Sequence, residues 1–304
     1  MTVLTSVVVV NYNAGPLLAD CIEAVLASTV AVEVIVSDNG STDDSLALLS
    51  LRCGNHPGVQ VIRHGKNLGF SESNNRALAK TDSTSEFVLF LNPDCIVEAA
   101  TLEGVLKVLT KHQDGGMAGC VIRNPDGSEQ HASRRRIPTP WSAFVGVLRL
   151  DKLLAGLPGI KGLSEIDKPL PSTAIKVEAI SGSFMMVRRK ALNDVGLLDS
   201  SYFLHCEDLD WFVRFVQAGW SLYFVPFVWV THYKGACSHR RPFFVEWHKH
   251  RGMARFFLRF QAPSFSFPIR MLVLLGIWLH FLATSVGILL GRIGFRRRVR
   301  AGQA

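Results

Sequence analysis

The chain has 304 residues, 48% of them hydrophobic and only 19% charged, which excludes an extended disordered protein and allows one full α/β core with a smaller appendage. Its net charge of +8 sits at one end: residues 1–233 carry 20 basic against 24 acidic side chains, so they balance at −4 and residues 234–304 hold +12. A basic, apolar end suits an anionic membrane surface or a diphosphate, and no nucleic-acid motif accompanies it, so nucleic acid is not an expected partner.

The chain opens directly on a β-branched apolar run, Val3 to Val10, stopped by Asn11, Tyr12, Asn13, Ala14 and Gly15; Pro16 then begins a helical pattern to about Leu26. A second strand, Val32 to Ser37, ends on Asp38, Asn39, Gly40 and Ser41, with Asp43 and Asp44 at the start of the next helix. A third, Val59 to Arg63, leads through the loop 65–70 into a helix to about Ala79, and a fourth, Glu86 to Leu91, is closed by Asn92, Pro93 and Asp94. Strands apolar on both faces and alternating with helices predict a mostly parallel sheet with helices on both faces. Ligands bind such sheets at the carboxyl ends of strands, where these polar clusters fall.

From Arg123 to Ser172 repeated Pro and Gly break the pattern into a long excursion that contains Arg134, Arg135 and Arg136. Regular pattern resumes with one strand, Ile175 to Val187, holding Ser181, Gly182 and Ser183. A helix from about Lys190 follows, then another led by Glu207, Asp208 and Asp210, then a strand pair, Ser221 to Val225 and Phe227 to Thr231. Met271 to Gly291 is a 21-residue apolar stretch, long enough to cross a hydrocarbon core. Arg292, Arg296, Arg297, Arg298 and Arg300 follow it and oppose a single crossing, so a helix lying in the interface or dipping and returning is expected. The division read from this pattern is 1–122, 123–260 and a basic, apolar, membrane-associated segment 261–304.

The six cysteines, Cys21, Cys53, Cys95, Cys120, Cys206 and Cys237, have neither CxxC nor metal-finger spacing and read as reduced and mostly buried. No secretory leader is evident, which makes cytoplasm the expected compartment.

Taken singly, the polar residues leave two readings each. Asp38 suits a ribose or base edge, or a helix cap. Asn92-Pro93-Asp94 suits a divalent cation, or a simple turn. Glu207 and Asp208 suit a general base with a pKa raised by like charge, or ordinary acids at a helix N-terminus. Trp211 suits a sugar face or the core, His232 a metal or a structural bond, and the three arginines a diphosphate or solvent.

Six segments in order, VVVVNYN, VSDNGSTDDS, KNLGFSESNNRAL, LNPD, SGSFMMVRR and FLHCEDLDWFVR, resemble family 2 glycosyltransferases of the GT-A fold, specifically the bacterial rhamnosyltransferase-like branch. The resemblance spans roughly residues 4 to 260. It implies an inverting transfer of a sugar, dTDP-L-rhamnose favoured as donor, to a polyprenyl-diphosphate-linked glycan of cell-wall or surface-polysaccharide synthesis. It assigns Asn11, Asn13, Asp38, Asn67, Gly69, Phe70 and Asn92 to the nucleotide sugar, with Asn74 and Asn75 nearby. It assigns Asp94 and His232 to a divalent metal, Mg or Mn, and Asp208 with Glu207 to catalysis; Ser181, Gly182, Trp211 and Arg135 are expected at the acceptor. Asn92 departs from the first acid of the family's D-x-D motif, which bears on metal dependence. A non-catalytic binding scaffold and a nucleotidyltransferase are the alternative readings.

Overall fold

The computed structural model describes residues 4–131, 133–147, 166, 168–233 and 241–301. The centre of the predicted excursion, and Lys234, Gly235 and Cys237, lie outside the described residues. Among the described residues nine strands form one sheet: β1 (Thr5–Asn11), β2 (Val32–Asp38), β3 (Val59–Arg63), β4 (Phe87–Leu91), β5 (Cys95–Val97), β6 (Gly115–Arg123), β7 (Ile175–Val177), β8 (Phe184–Arg188) and β9 (Ser221–His232). The order is β3-β2-β1-β4-β8-β6-β9-β5, with β7 also paired to β9.

The first half is parallel, as predicted: β1 pairs with β2 and β4, and β2 with β3. The second half is mixed, because β8 runs antiparallel to both β4 and β6 while β6 and β9 are parallel. The predicted strand Ile175 to Val187 is two strands with a turn at Ser181–Ser183 between them, and the predicted pair at 221–231 is the single strand β9, with a register shift against β6.

Successive residues of β1 point to opposite faces, and both faces are covered, so Val7, Val8 and Val9 are all fully buried. On one face Val7, Val9, Val34, Val36, Leu89 and Leu91 pack under α1 (Leu17–Leu26), α2 (Ser45–Cys53) and α4 (Thr101–Lys111). Helix α1 meets them with Leu18, Cys21, Ile22 and Val25, the spacing of one helical face. Among the described residues this unit also has α3 (Phe70–Leu78), α5 (Pro140–Val147), α6 (Arg189–Val195) and α7 (Glu207–Gln217). Helix α7 buries Trp211, Phe212 and Phe215, with Trp211 edge-on to Phe90 of β4. Each such side chain contributes about 1.5–3 kcal/mol of burial. Cys21, Cys53, Cys95, Cys120 and Cys206 are all buried.

A second compact unit comprises Leu204–Cys206 and Ser238–Ala304. It contains α8 (Pro242–Phe256), a π turn and a 3-10 turn over Phe257–Ser264, and α9 (Phe267–Ala301). Helix α8 thus folds with the C-terminal helix, whereas the sequence pattern set a boundary at 260. The reason is aromatic packing: Trp247 of α8 lies 5.3 Å from Trp278 and 5.7 Å from Phe281 of α9, centroid to centroid. Helix α9 is unbroken over 35 residues, so the expectation of a segment that dips and returns is not met. Residues Phe267–Leu290 are long and apolar enough to cross a membrane.

Candidate active site

Parallel pairing aligns the carboxyl ends of β1, β2 and β4, and Asn11 is the register partner of Asp38. The Asn11 amide nitrogen lies 2.9 Å from Asp38 Oδ1, 3.0 Å from Ser41 Oγ and 2.9 Å from Ser45 Oγ. Asp38 Oδ2 accepts the backbone N–H groups of Gly40 and Ser41 at 3.1 and 3.2 Å. Asp38 therefore shapes its own loop and does not cap α2. Asn11 is fully buried, so it supports Asp38 from below and does not line a pocket. Asn13, with a left-handed φ of 55°, accepts from the Thr42 N–H at 2.8 Å and anchors the facing loop.

The loop 65–70 is held from the same strand end. The buried side chain of Asn39 donates to the Gly69 carbonyl at 3.1 Å and accepts from the Leu68 N–H and from Ser73 Oγ. Asn67 accepts the Gly69 N–H at 2.9 Å, and the Phe70 N–H donates to the Phe203 carbonyl at 2.8 Å. Gly69 has φ 84°, and a Cβ there would lie 2.6 Å from Phe203 O, so only glycine fits. Asn74 bonds the Phe70 carbonyl at the end of this loop, and Asn75 clamps the backbone of Leu198. Asn39 has no assigned role in the sequence reading, although it stands inside the VSDNGSTDDS segment.

Beyond β4, antiparallel pairing sets Cys95 of β5 opposite His232 of β9, and the Tyr233 N–H donates to the Asp94 carbonyl at 2.9 Å. This pairing brings His232 Nε2 to 3.2 Å from Asp94 Oδ1. Ligand atoms of Asp94, Cys95 and His232 lie within 4.8 Å of one another. Burial, reinforced by the Asp94 charge, holds the Cys95 thiol well above its ordinary range, and hard cations such as Mg and Mn favour carboxylate over sulfur. One carboxylate oxygen and one imidazole nitrogen suit a divalent cation that keeps most of its coordination sphere for water and substrate. Asn92 is tied by its backbone N–H to the Ser183 carbonyl at 2.9 Å, which links this end of the site to the turn before β8.

That turn meets the acid pair. Asp208, in the first turn of α7, packs so closely on Gly182 that a Cβ there would lie 2.9 Å from Asp208 Oδ2. Arg135 pairs with the same oxygen and donates through Nε to the Ile180 carbonyl at 3.1 Å. Arg135 is thus a neighbour of the acid it was not predicted to touch. Ser181 Oγ bonds Ser183 Oγ at 2.9 Å and braces the turn. Glu207 is 7% exposed and its Oε2 has no hydrogen-bond partner; burial, then the charge of Asp208, push its pKa up to about 8. It is a neutral acid at pH 7 beside the carboxylate of Asp208. His205 and Cys206, immediately before, both have left-handed φ (68° and 69°), a strain of about 1–3 kcal/mol each that turns the chain into α7.

Two expectations are corrected here. Trp211 is fully buried with its indole N–H on the Gly196 carbonyl at 2.9 Å, so it is core and touches no sugar. Arg134, of the triple arginine, is also buried, bonded to Glu129 and to the carbonyls of Lys168 and Pro169. Gln130 escaped the sequence reading altogether: it bonds His232 by both ends of its amide.

A mixed α/β sheet with an acid and an imidazole at its carboxyl edge, and an acid pair opening a helix beside them, defines a GT-A glycosyltransferase. The chain belongs to glycosyl transferase family 2, which matches residues 6–196. It is 29% identical over 262 residues, 80% of each chain, to N-acetylglucosaminyl-diphospho-decaprenol L-rhamnosyltransferase of Mycobacterium tuberculosis. It is 28% identical over 250 residues to rhamnosyltransferase WbbL of Escherichia coli, covering 80% of this chain and 88% of that one. The mannosyltransferase PcManGT from Pyrobaculum calidifontis, solved in complex with GDP-Man and Mn2+, shares the fold at 18% identity with a TM-score of 0.57, over 95% of this chain and 75% of that one.

Proposed function

We propose that the chain transfers L-rhamnose from dTDP-rhamnose, with inversion, to a polyprenyl-diphosphate-linked glycan at the cytoplasmic face of the membrane. The observation that carries the chemistry is Asp208, a carboxylate fixed against Gly182 and Arg135 on the same sheet edge as Asp94 and His232. The names of the two rhamnosyltransferase relatives support the donor, and the decaprenol-diphosphate in one of them supports the acceptor.

In this reading Asp38 and the loop 67–70 bind the nucleotide. The acceptor hydroxyl loses its proton to Asp208 as its oxygen attacks the anomeric carbon, and the bond to the diphosphate breaks on the opposite side. One displacement inverts the centre. Asp94 and His232 would hold a divalent ion, which would supply positive charge for the departing diphosphate. Arg135 must leave Asp208 as the acceptor enters, and the diphosphate of that acceptor is a fitting anion to receive it.

The test is the full chain in lipid nanodiscs with dTDP-rhamnose and a polyprenyl-diphosphate N-acetylglucosamine. Release of dTDP with a lipid-linked disaccharide of inverted linkage is the expected outcome. Release of inorganic pyrophosphate, or binding without turnover across a panel of nucleotide sugars, would overturn it.

A further inference from the structure

Gln130 lies in the segment after β6, 5% exposed, with its backbone N–H on the Ile122 carbonyl at 2.8 Å. Its side-chain nitrogen faces two backbone carbonyls, those of His232 at 2.8 Å and Arg123 at 3.5 Å. Carbonyl oxygens only accept, so the amide can stand in one orientation, with Nε2 toward them and Oε1 toward the His232 ring. Oε1 lies 3.0 Å from His232 Nδ1. An amide oxygen also only accepts, so Nδ1 must carry a proton.

With Nδ1 protonated, Nε2 is the ring nitrogen left to serve as a ligand, and it lies 3.2 Å from Asp94 Oδ1. We propose that Gln130 is the positioning residue of the metal site: through two bonds to His232 it fixes the Nδ1–H tautomer and aims Nε2 beside Asp94 as a ligand. This rests on the metal reading given above. It also bears on the neutral Asn92, since a ligand held by a buried amide needs less help from a second acid. Partners of this kind, which orient a ligating imidazole through its other nitrogen, typically change metal affinity by about 10- to 100-fold.

The experiment uses the full chain in nanodiscs and reads free Mn2+ by electron paramagnetic resonance during titration, with UDP present as a diphosphate probe. Gln130→Met keeps the volume and removes both bonds. It is expected to weaken Mn2+ binding by about 10- to 100-fold. Nitrogen-15 spectra of labelled histidine, without metal, are expected to show His232 as the Nδ1–H form in the parent and as a mixture of tautomers in the variant. Gln130→Glu keeps an oxygen toward Nδ1–H but sets its second oxygen against the His232 and Arg123 carbonyls, so it is expected to keep the Nδ1–H form in the nitrogen-15 spectra and to weaken Mn2+ binding less than Gln130→Met; its spectra carry the test if Gln130→Met does not fold. If His232→Ala weakens Mn2+ binding while Gln130→Met does not, or if the nitrogen-15 spectra of Gln130→Glu show His232 as a mixture of tautomers, the role of Gln130 is overturned. If His232→Ala leaves Mn2+ binding unchanged, the metal reading itself fails.

Discussion

Gly182 has no room for a side chain, because the carboxylate of Asp208 occupies that space. Gly182→Ala is expected to leave the fold intact, since no positive φ is involved, and to push Asp208 aside. Displacing a reacting group by an ångström costs on the order of 100-fold, so kcat should fall by roughly 10- to 100-fold. Steady-state kinetics with matched thermal melts separates this from simple destabilisation. Glu207, one residue before, makes a different prediction. An unfolded glutamate ionises near 4.5, whereas folded Glu207 keeps its proton to about 8, because burial and then the Asp208 charge oppose its ionisation. The folded state therefore binds more protons across that window, and its contribution to stability falls as pH rises through it. Glu207→Gln cannot ionise and removes this loss. The melting temperature of the variant relative to the parent should rise from about pH 5 to about pH 8, and a flat difference would show that Glu207 ionises normally.

At the scale of elements, the loop 65–70 depends on β2 through one side chain, Asn39, which bonds Gly69, Leu68 and Ser73. Asn39→Ala leaves these groups without their partner at about 1–3 kcal/mol, so the Kd for dTDP should rise by roughly 5- to 100-fold while kcat at saturation changes less. Calorimetric titration measures it. The elements that carry this loop were legible in the sequence because β1 to β4 are β-branched or apolar runs that stop abruptly at polar clusters. Strand β6 was not, since Gly115, Gly116 and Gly119 look like loop residues. Gly116 is there for close packing, because a Cβ would lie 2.7 Å from Trp220. The split at Ser181–Ser183 was hidden for a related reason: the turn is set by the approach of Asp208, a contact across the fold. Trp211 shows the limit of residue type, since aromatic chemistry suits a sugar and a core equally and only burial decides. Gln130 sits where Pro and Gly erase periodicity, so nothing local marks it.

At the scale of the whole molecule, the second unit bears on how the chain meets a membrane. Phe267–Leu290 has the length and hydropathy of a crossing, and Leu272, Leu275, Leu279, Leu282 and Val286 are exposed. Yet α8 packs along its other side: besides the aromatic contacts, His250 Nε2 lies 2.9 Å from His280 Nδ1. His280 is roughly 20 Å along α9 from Phe267 at 1.5 Å per residue, more than halfway through a hydrocarbon core of about 30 Å. An upright α9 would carry Glu246 and Lys249 of α8, paired at 3.1 Å, to that depth, at about 2.5–3.5 kcal/mol per charged side chain. A pair of helices lying in the interface would instead place the exposed leucines of α9 in the acyl region without carrying Glu246 and Lys249 to that depth. The five arginines from 292 to 300 would then stay on the side from which the helices enter, where an anionic surface attracts them by about 1 kcal/mol each. A protease-cleavable tag after residue 304 should therefore be cut from the same face as the catalytic unit in sealed vesicles, and cleavage from the opposite face would establish a crossing. Leu275→Asp with Leu279→Asp should release the protein from vesicles at salt concentrations that leave the parent bound, because salt screens the arginines and leaves apolar insertion intact.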